Sequence, residues 1–149
     1  YFSWDGIEQF THVNLGVAVD TGSALLVPVI PRAHELSLLE LAAQTRTMAE
    51  RARSGGLDMA DMENGTFTVT NLGMLGVHWF TPVLNPPQSC ILGVGAIHQP
   101  TPESPALLPL SLTFDHRALD GAEAARALAA ISDALENIDA HTAVLPTSH

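Results

Sequence analysis

Apolar and polar residues alternate from His12 to Val19. Val13, Leu15, Val17 and Val19 fall on one side; His12, Asn14, Gly16 and Ala18 fall on the other. A period of two predicts a half-buried strand with the valines and leucine inward. Asp20-Thr21-Gly22-Ser23 reads as a turn, and Ala24–Ile30 as the returning strand. Pro28 has no amide to donate, so that strand is expected to break or lie at an edge there. The period then lengthens. Leu38, Leu41, Ala42, Thr45, Met48, Ala49 and Ala52 recur at helical spacing behind Ser37, with Glu40 placed to complete a capping box. Arg51 and Arg53 suit the negative end of the helix dipole, and Gly55-Gly56 ends it.

Alternation returns over Gly65–Thr70, with Phe67 and Val69 on one side and Thr66, Thr68 and Thr70 on the other. Glycines in Asn71–Gly76 break the pattern, and Asn85-Pro86-Pro87 is a rigid turn. Cys90–Ile97 and Leu107–Phe114 read as strands, separated by a proline-rich loop. From Gly121 to about Asn137 a second helix is expected, with Ala125, Leu128, Ile131, Ser132 and Leu135 on its inner face. This order predicts mixed α/β layers around a large sheet.

Composition sharpens the picture. The 149 residues suit one domain or most of one, and 46% hydrophobic content suffices for a core. No apolar run could span a bilayer, so no membrane partner is expected. The chain opens on Tyr1, which fits a fragment, a processed product or part of a longer chain. A net charge of −10 repels nucleic acid. Cys90 stands alone, so no intrachain disulfide forms, which suits a cytoplasmic location. Its apolar neighbours mark it as a buried structural thiol.

Of the seven histidines, His12, His34, His98, His141 and His149 read as surface or turn residues. No pair has the spacing of a helical zinc site, so no metal is expected. His78 is a candidate pocket residue beside Trp79 and Phe80. His116 follows an apolar strand between Asp115 and Arg117. An imidazole there can take a proton from a thiol or hydroxyl and return it. A histidine packed at a strand end fits the same spacing. Asp120, with Glu123 three residues on, is placed to cap the second helix; holding the His116 loop is compatible with that role.

Thr113-Phe114-Asp115-His116-Arg117-Ala118-Leu119-Asp120-Gly121 and the residues to Arg126 resemble the C-terminal signature of the dihydrolipoamide acyltransferases, the cores of 2-oxo acid dehydrogenase complexes. Val13–Thr21, Gly65–Met74, Asn85-Pro86-Pro87 and Ile91–Gly95 resemble further blocks of that family, in the same order. The resemblance implies a mixed-sheet two-layer α/β sandwich like that of chloramphenicol acetyltransferase. It implies transfer of an acyl group between dihydrolipoamide and coenzyme A. His116 would be the base, Thr70 (where the family usually has serine) the oxyanion donor, and Asp120 a support for the His116 loop.

By the same resemblance, residues 1–149 correspond to the C-terminal two-thirds of a catalytic domain, without the lipoyl and peripheral-subunit-binding domains. All six basic residues are arginine, so this chain has no lysine to carry a lipoyl group. The resemblance further implies a homotrimer with His116 facing a neighbour's Thr70, and trimers built into a larger, cubic or dodecahedral core. Decarboxylase and dihydrolipoamide dehydrogenase components would be partners. Ala143, Val144 and Leu145 are a candidate anchor between trimers. The branched-chain complex is favoured, with pyruvate and 2-oxoglutarate open. The alternatives are a chloramphenicol-type O-acetyltransferase and a catalytically silent core protein. The stretch His98–Pro109 is shorter than in the family, which is expected to trim a surface hairpin.

Overall fold

A computed structural model of the chain describes residues 1–138. A short hairpin, β1 (Phe2–Ser3) and β2 (Gly6–Ile7), precedes the main sheet. That sheet has five strands in the order β6-β3-β7-β8-β9: β3 is Leu15–Val17, β6 Val29–Ile30, β7 Phe67–Asn71, β8 Cys90–Val94 and β9 Leu110–Phe114. β3, β7 and β8 run parallel, and the edge strands β6 and β9 are antiparallel to their neighbours. The small ribbon β4 (Val19–Asp20) and β5 (Leu25–Leu26) extends from the β3 side. Helix α1 (Leu38–Ser54) packs beside β4 and β6, and α2 (Gly121–Glu136) against β9. The mixed α/β sandwich expected from the sequence is the architecture observed.

Both helix starts follow from their caps. Ser37 Oγ accepts from the Glu40 amide, and the Glu40 carboxylate takes the Ser37 amide at 2.8 Å. Asp120 and Glu123 repeat the arrangement at α2. Gly55 closes α1 at φ 73°, a left-handed conformation that a side chain disfavours. The interruption at Pro28 is real, since β5 pairs with β4 while β6 pairs with β3 on either side of it.

Buried polar residues stand on the polar side of the alternation at two places. Val13 is 40% exposed, whereas Asn14 is buried. Asn14 Nδ2 donates to Asn64 O (2.8 Å) and its Oδ1 accepts from the Arg32 amide (3.0 Å), so the side chain ties three chain segments together. Satisfied hydrogen bonds make that burial tolerable. The threonine side of β7 is likewise covered: Thr68 is 1% exposed and donates to Gln88 Oε1 at 2.6 Å. Residues 80–88 form this cover, and the polar alternation hid it.

Other expectations shift by a residue or a turn. On α2 the buried alanine is Ala124; Ala125 and Leu135 are exposed. On α1, Leu38 and Ala42 are exposed, while Ala52 is buried. The strand expected over Cys90–Ile97 ends at Val94, and the one expected from Leu107 begins at Leu110, just after Pro109. The candidate anchor Ala143, Val144 and Leu145, with His141 and His149, lies outside the described residues.

Candidate functional site

Thr70 is the fourth residue of β7, half-buried, on the side covered by residues 80–85. It opens on a cavity of about 470 Å³ walled by Val27, Phe80, Pro82, Val83, Leu84 and Ile91. Gly93, its register partner on β8, makes room for that wall. A Cβ on Gly93 would stand 2.6 Å from Ser111 Oγ and 3.1 Å from Phe80 Cζ. Ser111 in turn donates to Phe80 O at 2.7 Å, pinning the ring over the sheet. Thr70 also borders a second cavity, about 510 Å³, between α1, the β4–β5 ribbon and residues 71–75. A single hydroxyl thus stands where two cavities meet.

His116 lies in the turn after β9 and is exposed. Its ring rests against Phe114, with centroids 5.4 Å apart. The neighbouring Asp115 and Arg117 form an ion pair at 2.7 Å. The Arg117 side chain and then its backbone amide, both donating to Asp115, hold that carboxyl down to about 2. Asp115 therefore stays anionic at any working pH and braces the turn. The Arg117 guanidinium also covers the Phe2 ring at 4.4 Å, tying the β1–β2 hairpin to the His116 turn. Sequence reading noted the flanking charges of His116 but not this brace; opposite charges two apart across a turn were the available signal.

Asp120 is engaged as the α2 cap: its Oδ1 accepts from the Glu123 amide at 2.8 Å. Replacing Asp120 with alanine is expected to cost about 1 kcal/mol of stability, with serine recovering most of it. Thermal unfolding checks this; an unchanged midpoint for the alanine variant would remove the capping role.

Within one chain the structure does not bring Thr70 and His116 together. Thr70 is level with Gly93 and Ser111, whereas Phe114 pairs with Cys90, three residues further along and two strands across. At about 3.3 Å per residue and about 4.8 Å per strand, Thr70 and Phe114 are about 14 Å apart. The chain continues in the same direction through Asp115, whose amide donates to Ser89 O, before His116 is reached.

The remaining candidates stand apart. His78 is exposed and does not line either Thr70 cavity; its ring lies 4.9 Å from that of His98. Cys90 is half-buried, and burial pushes its thiol pKa up, which keeps it protonated and unreactive. Among the described residues, no three of His, Cys, Asp and Glu gather as a metal ion would need. No helix among them is long and apolar enough to cross a membrane.

The chain is 48% identical over 143 residues to the dihydrolipoyllysine-residue acetyltransferase component of the acetoin cleaving system of Bacillus subtilis, covering 91% of this chain and 36% of that protein. It superposes on the cubic core of a pyruvate dehydrogenase multienzyme complex with TM-score 0.82 at 42% identity, covering 91% of this chain and 58% of that one. It does so equally, TM-score 0.82 at 41% identity, on the dihydrolipoamide acetyltransferase of Azotobacter vinelandii, solved to probe the catalytic role of a serine, a histidine and an asparagine; 92% of this chain and 58% of that one are covered. The chain therefore spans about a third of its Bacillus relative's length and less than two-thirds of these solved chains. Residues 2–143 match the family described as 2-oxoacid dehydrogenases acyltransferase (catalytic domain), and the chain belongs to that family.

Proposed function

We propose that this chain forms the acyl-transfer site of a 2-oxo acid dehydrogenase or related complex, moving an acetyl group between coenzyme A and dihydrolipoamide. The observation that carries the reading is Thr70: a half-buried hydroxyl at the junction of two cavities, suited to a reaction that joins two substrate arms. His116, at the other end of the sheet, supplies the base from a neighbouring copy. It takes the proton from the attacking thiol, which is otherwise mostly protonated at neutral pH. The thiolate adds to the thioester carbonyl, and Thr70 donates to the resulting oxyanion. One such donor is worth about 3 kcal/mol. The intermediate then collapses, expelling the second thiolate, which recovers the proton from His116.

Asp120 supports the turn that carries His116 through the α2 cap. The histidine and asparagine probed in the Azotobacter protein are four positions apart, as are His116 and Asp120. The shared site calls for a homotrimer, and the similarity to a cubic core favours trimers assembled into a larger cytoplasmic shell. Decarboxylase and dihydrolipoamide dehydrogenase components would dock on it, and the lipoyl group would arrive on a separate domain.

Phe80 favours acetyl over the branched acyl groups that the sequence resemblance leaned toward, because its ring closes the cavity beside Thr70. Phe80→Ala is expected to raise kcat/KM for isobutyryl relative to acetyl transfer by about tenfold, on the scale of one or two methylenes of pocket space. An unchanged ratio would take Phe80 out of the acyl pocket. The direct test of the whole reading is transfer from a panel of acyl-coenzyme A thioesters to dihydrolipoamide by the assembled full-length protein. Transfer of none of them would overturn it.

A further inference from the structure

His116 stands in a turn whose shape is set by its two neighbours. The Asp115 amide donates to Ser89 O at 2.8 Å, and the Arg117 amide donates to Asp115 Oδ1 at 2.9 Å. That second bond closes a ring around the His116 backbone. The amides of Ala118 and Leu119 both donate to Asp115 O, at 3.0 and 3.1 Å, and complete the turn. The Arg117 guanidinium grips the Asp115 carboxylate at 3.0 and 2.7 Å. Yet the Arg117 side chain is 62% exposed, and an exposed ion pair by itself holds little. The Phe2 ring adds to it, with its centroid 4.4 Å from Arg117 Cζ. Phe2 is itself anchored. The Glu8 amide donates to Tyr1 O at 2.9 Å, closing the β1–β2 hairpin. The Tyr1 hydroxyl donates to Gly65 O, and its ring meets Phe10 edge-on with centroids 4.6 Å apart. The Trp4 ring meets Phe2 edge-on at 6.0 Å. The hairpin is thus pinned near the start of β7 on one side and against Arg117 on the other.

We propose that Phe2 is a positioning residue for His116, acting through Arg117. The inference rests on the acyltransferase reading above, in which His116 is the base. The negative face of an aromatic ring attracts a cation placed over it. A guanidinium held there is confined to few rotamers, so less side-chain entropy is lost when it grips Asp115. Asp115 in turn holds the Arg117 amide, and the ring of bonds so closed fixes the backbone at His116. A general base must stand within hydrogen-bond reach of the proton it takes, and a displacement of about 1 Å costs much of the rate. Apolar bulk alone does not meet this need, because an aliphatic side chain has no π face for the cation. Phe2 lines neither of the cavities at Thr70, so its influence falls on the position of the base and not on the binding of substrate there.

The test is steady-state acetyl transfer by the assembled full-length protein, with acetyl-coenzyme A and dihydrolipoamide varied separately. Phe2→Leu is expected to lower kcat about fivefold, as far as an exposed cation–π contact can shift the turn, and to leave both KM values within about twofold. Phe2→Trp should keep kcat near that of the unaltered protein. Progressively fluorinated phenylalanines at position 2 keep the size of the ring and the fold while draining charge from its face, so kcat should fall in steps. Arg117→Gln lowers kcat on its own, and in that background neither Phe2→Leu nor fluorination should lower it further. A purely structural role for Phe2 would give the same loss with and without Arg117. That result, an unchanged kcat, or a change confined to KM would each overturn the proposal. If the unaltered protein transfers nothing, the acyltransferase reading fails separately. The crystal structure of the assembled Phe2→Leu variant then decides this one: a displaced Asp115–Leu119 turn supports it, and an unmoved turn overturns it.

Discussion

Replacing His116 with alanine is expected to lower the turnover of acetyl transfer by about a thousandfold or more, with the assembly intact. A positioned general base contributes about 10² to 10⁴ in rate. The upper part of that range applies because the attacking thiol has no other titratable neighbour assigned to it. Structural damage should be slight. His116 is exposed, its ring lies tilted beside that of Phe114, and α2 is capped by Asp120 independently of it. The turn itself is braced by the Asp115–Arg117 ion pair, which the substitution leaves in place. The measurement is kcat at saturating substrates, with particle size as the control for assembly. Near-normal turnover in a correctly sized particle would mean that the base is elsewhere.

The second large effect is a recovery. Thr70→Ala alone should lower turnover by about 10² to 10³, the loss of one oxyanion donor. Thr70 and His116 sit at opposite ends of one sheet, so on the proposed mechanism each site takes one residue from each of two copies. Coexpressing Thr70→Ala with His116→Ala chains then creates interfaces where both native residues meet. With random mixing in a cyclic trimer, about a quarter of the sites are restored, so the mixed particle should be far more active than either parent. If both residues served the same site within one chain, every site in the mixture would lack one of them and no recovery would follow. Activity of coexpressed particles, normalised to the two parents, distinguishes these outcomes.

Particular residues show how much was legible beforehand. Ser37, Glu40 and Gly55 set the ends of α1, because capping is a local interaction among residues a few positions apart. Pro28 marked the break between β5 and β6 for an equally local reason, its missing amide. Alternation set Asn14 opposite the apolar side of its strand, and it gave no sign that Thr68 would be covered. Their burial depends on Asn64, Arg32 and Gln88, 18 to 50 residues away, and no short window contains those partners. Ala124 replaced Ala125 on the inner face of α2, since an alanine-rich stretch marks the helix phase only weakly until it meets β9.

The candidate site divides along the same line. The chemistry on offer was legible from the chain alone: an imidazole at a strand end, a hydroxyl in a threonine-rich strand and an acidic helix cap. Those follow from residue identity and near neighbours, and the family resemblance attached roles to them. Where these groups stand depends on how distant segments pack. Strand order and register separate Thr70 from His116 within one chain, and the 80–85 segment folds back to hang Phe80 over Gly93. The fold also brings Phe2 of the hairpin against Arg117 of the His116 turn. Each of these depends on contacts between segments distant in sequence, and packing selects among such pairings only when the whole sheet is assembled.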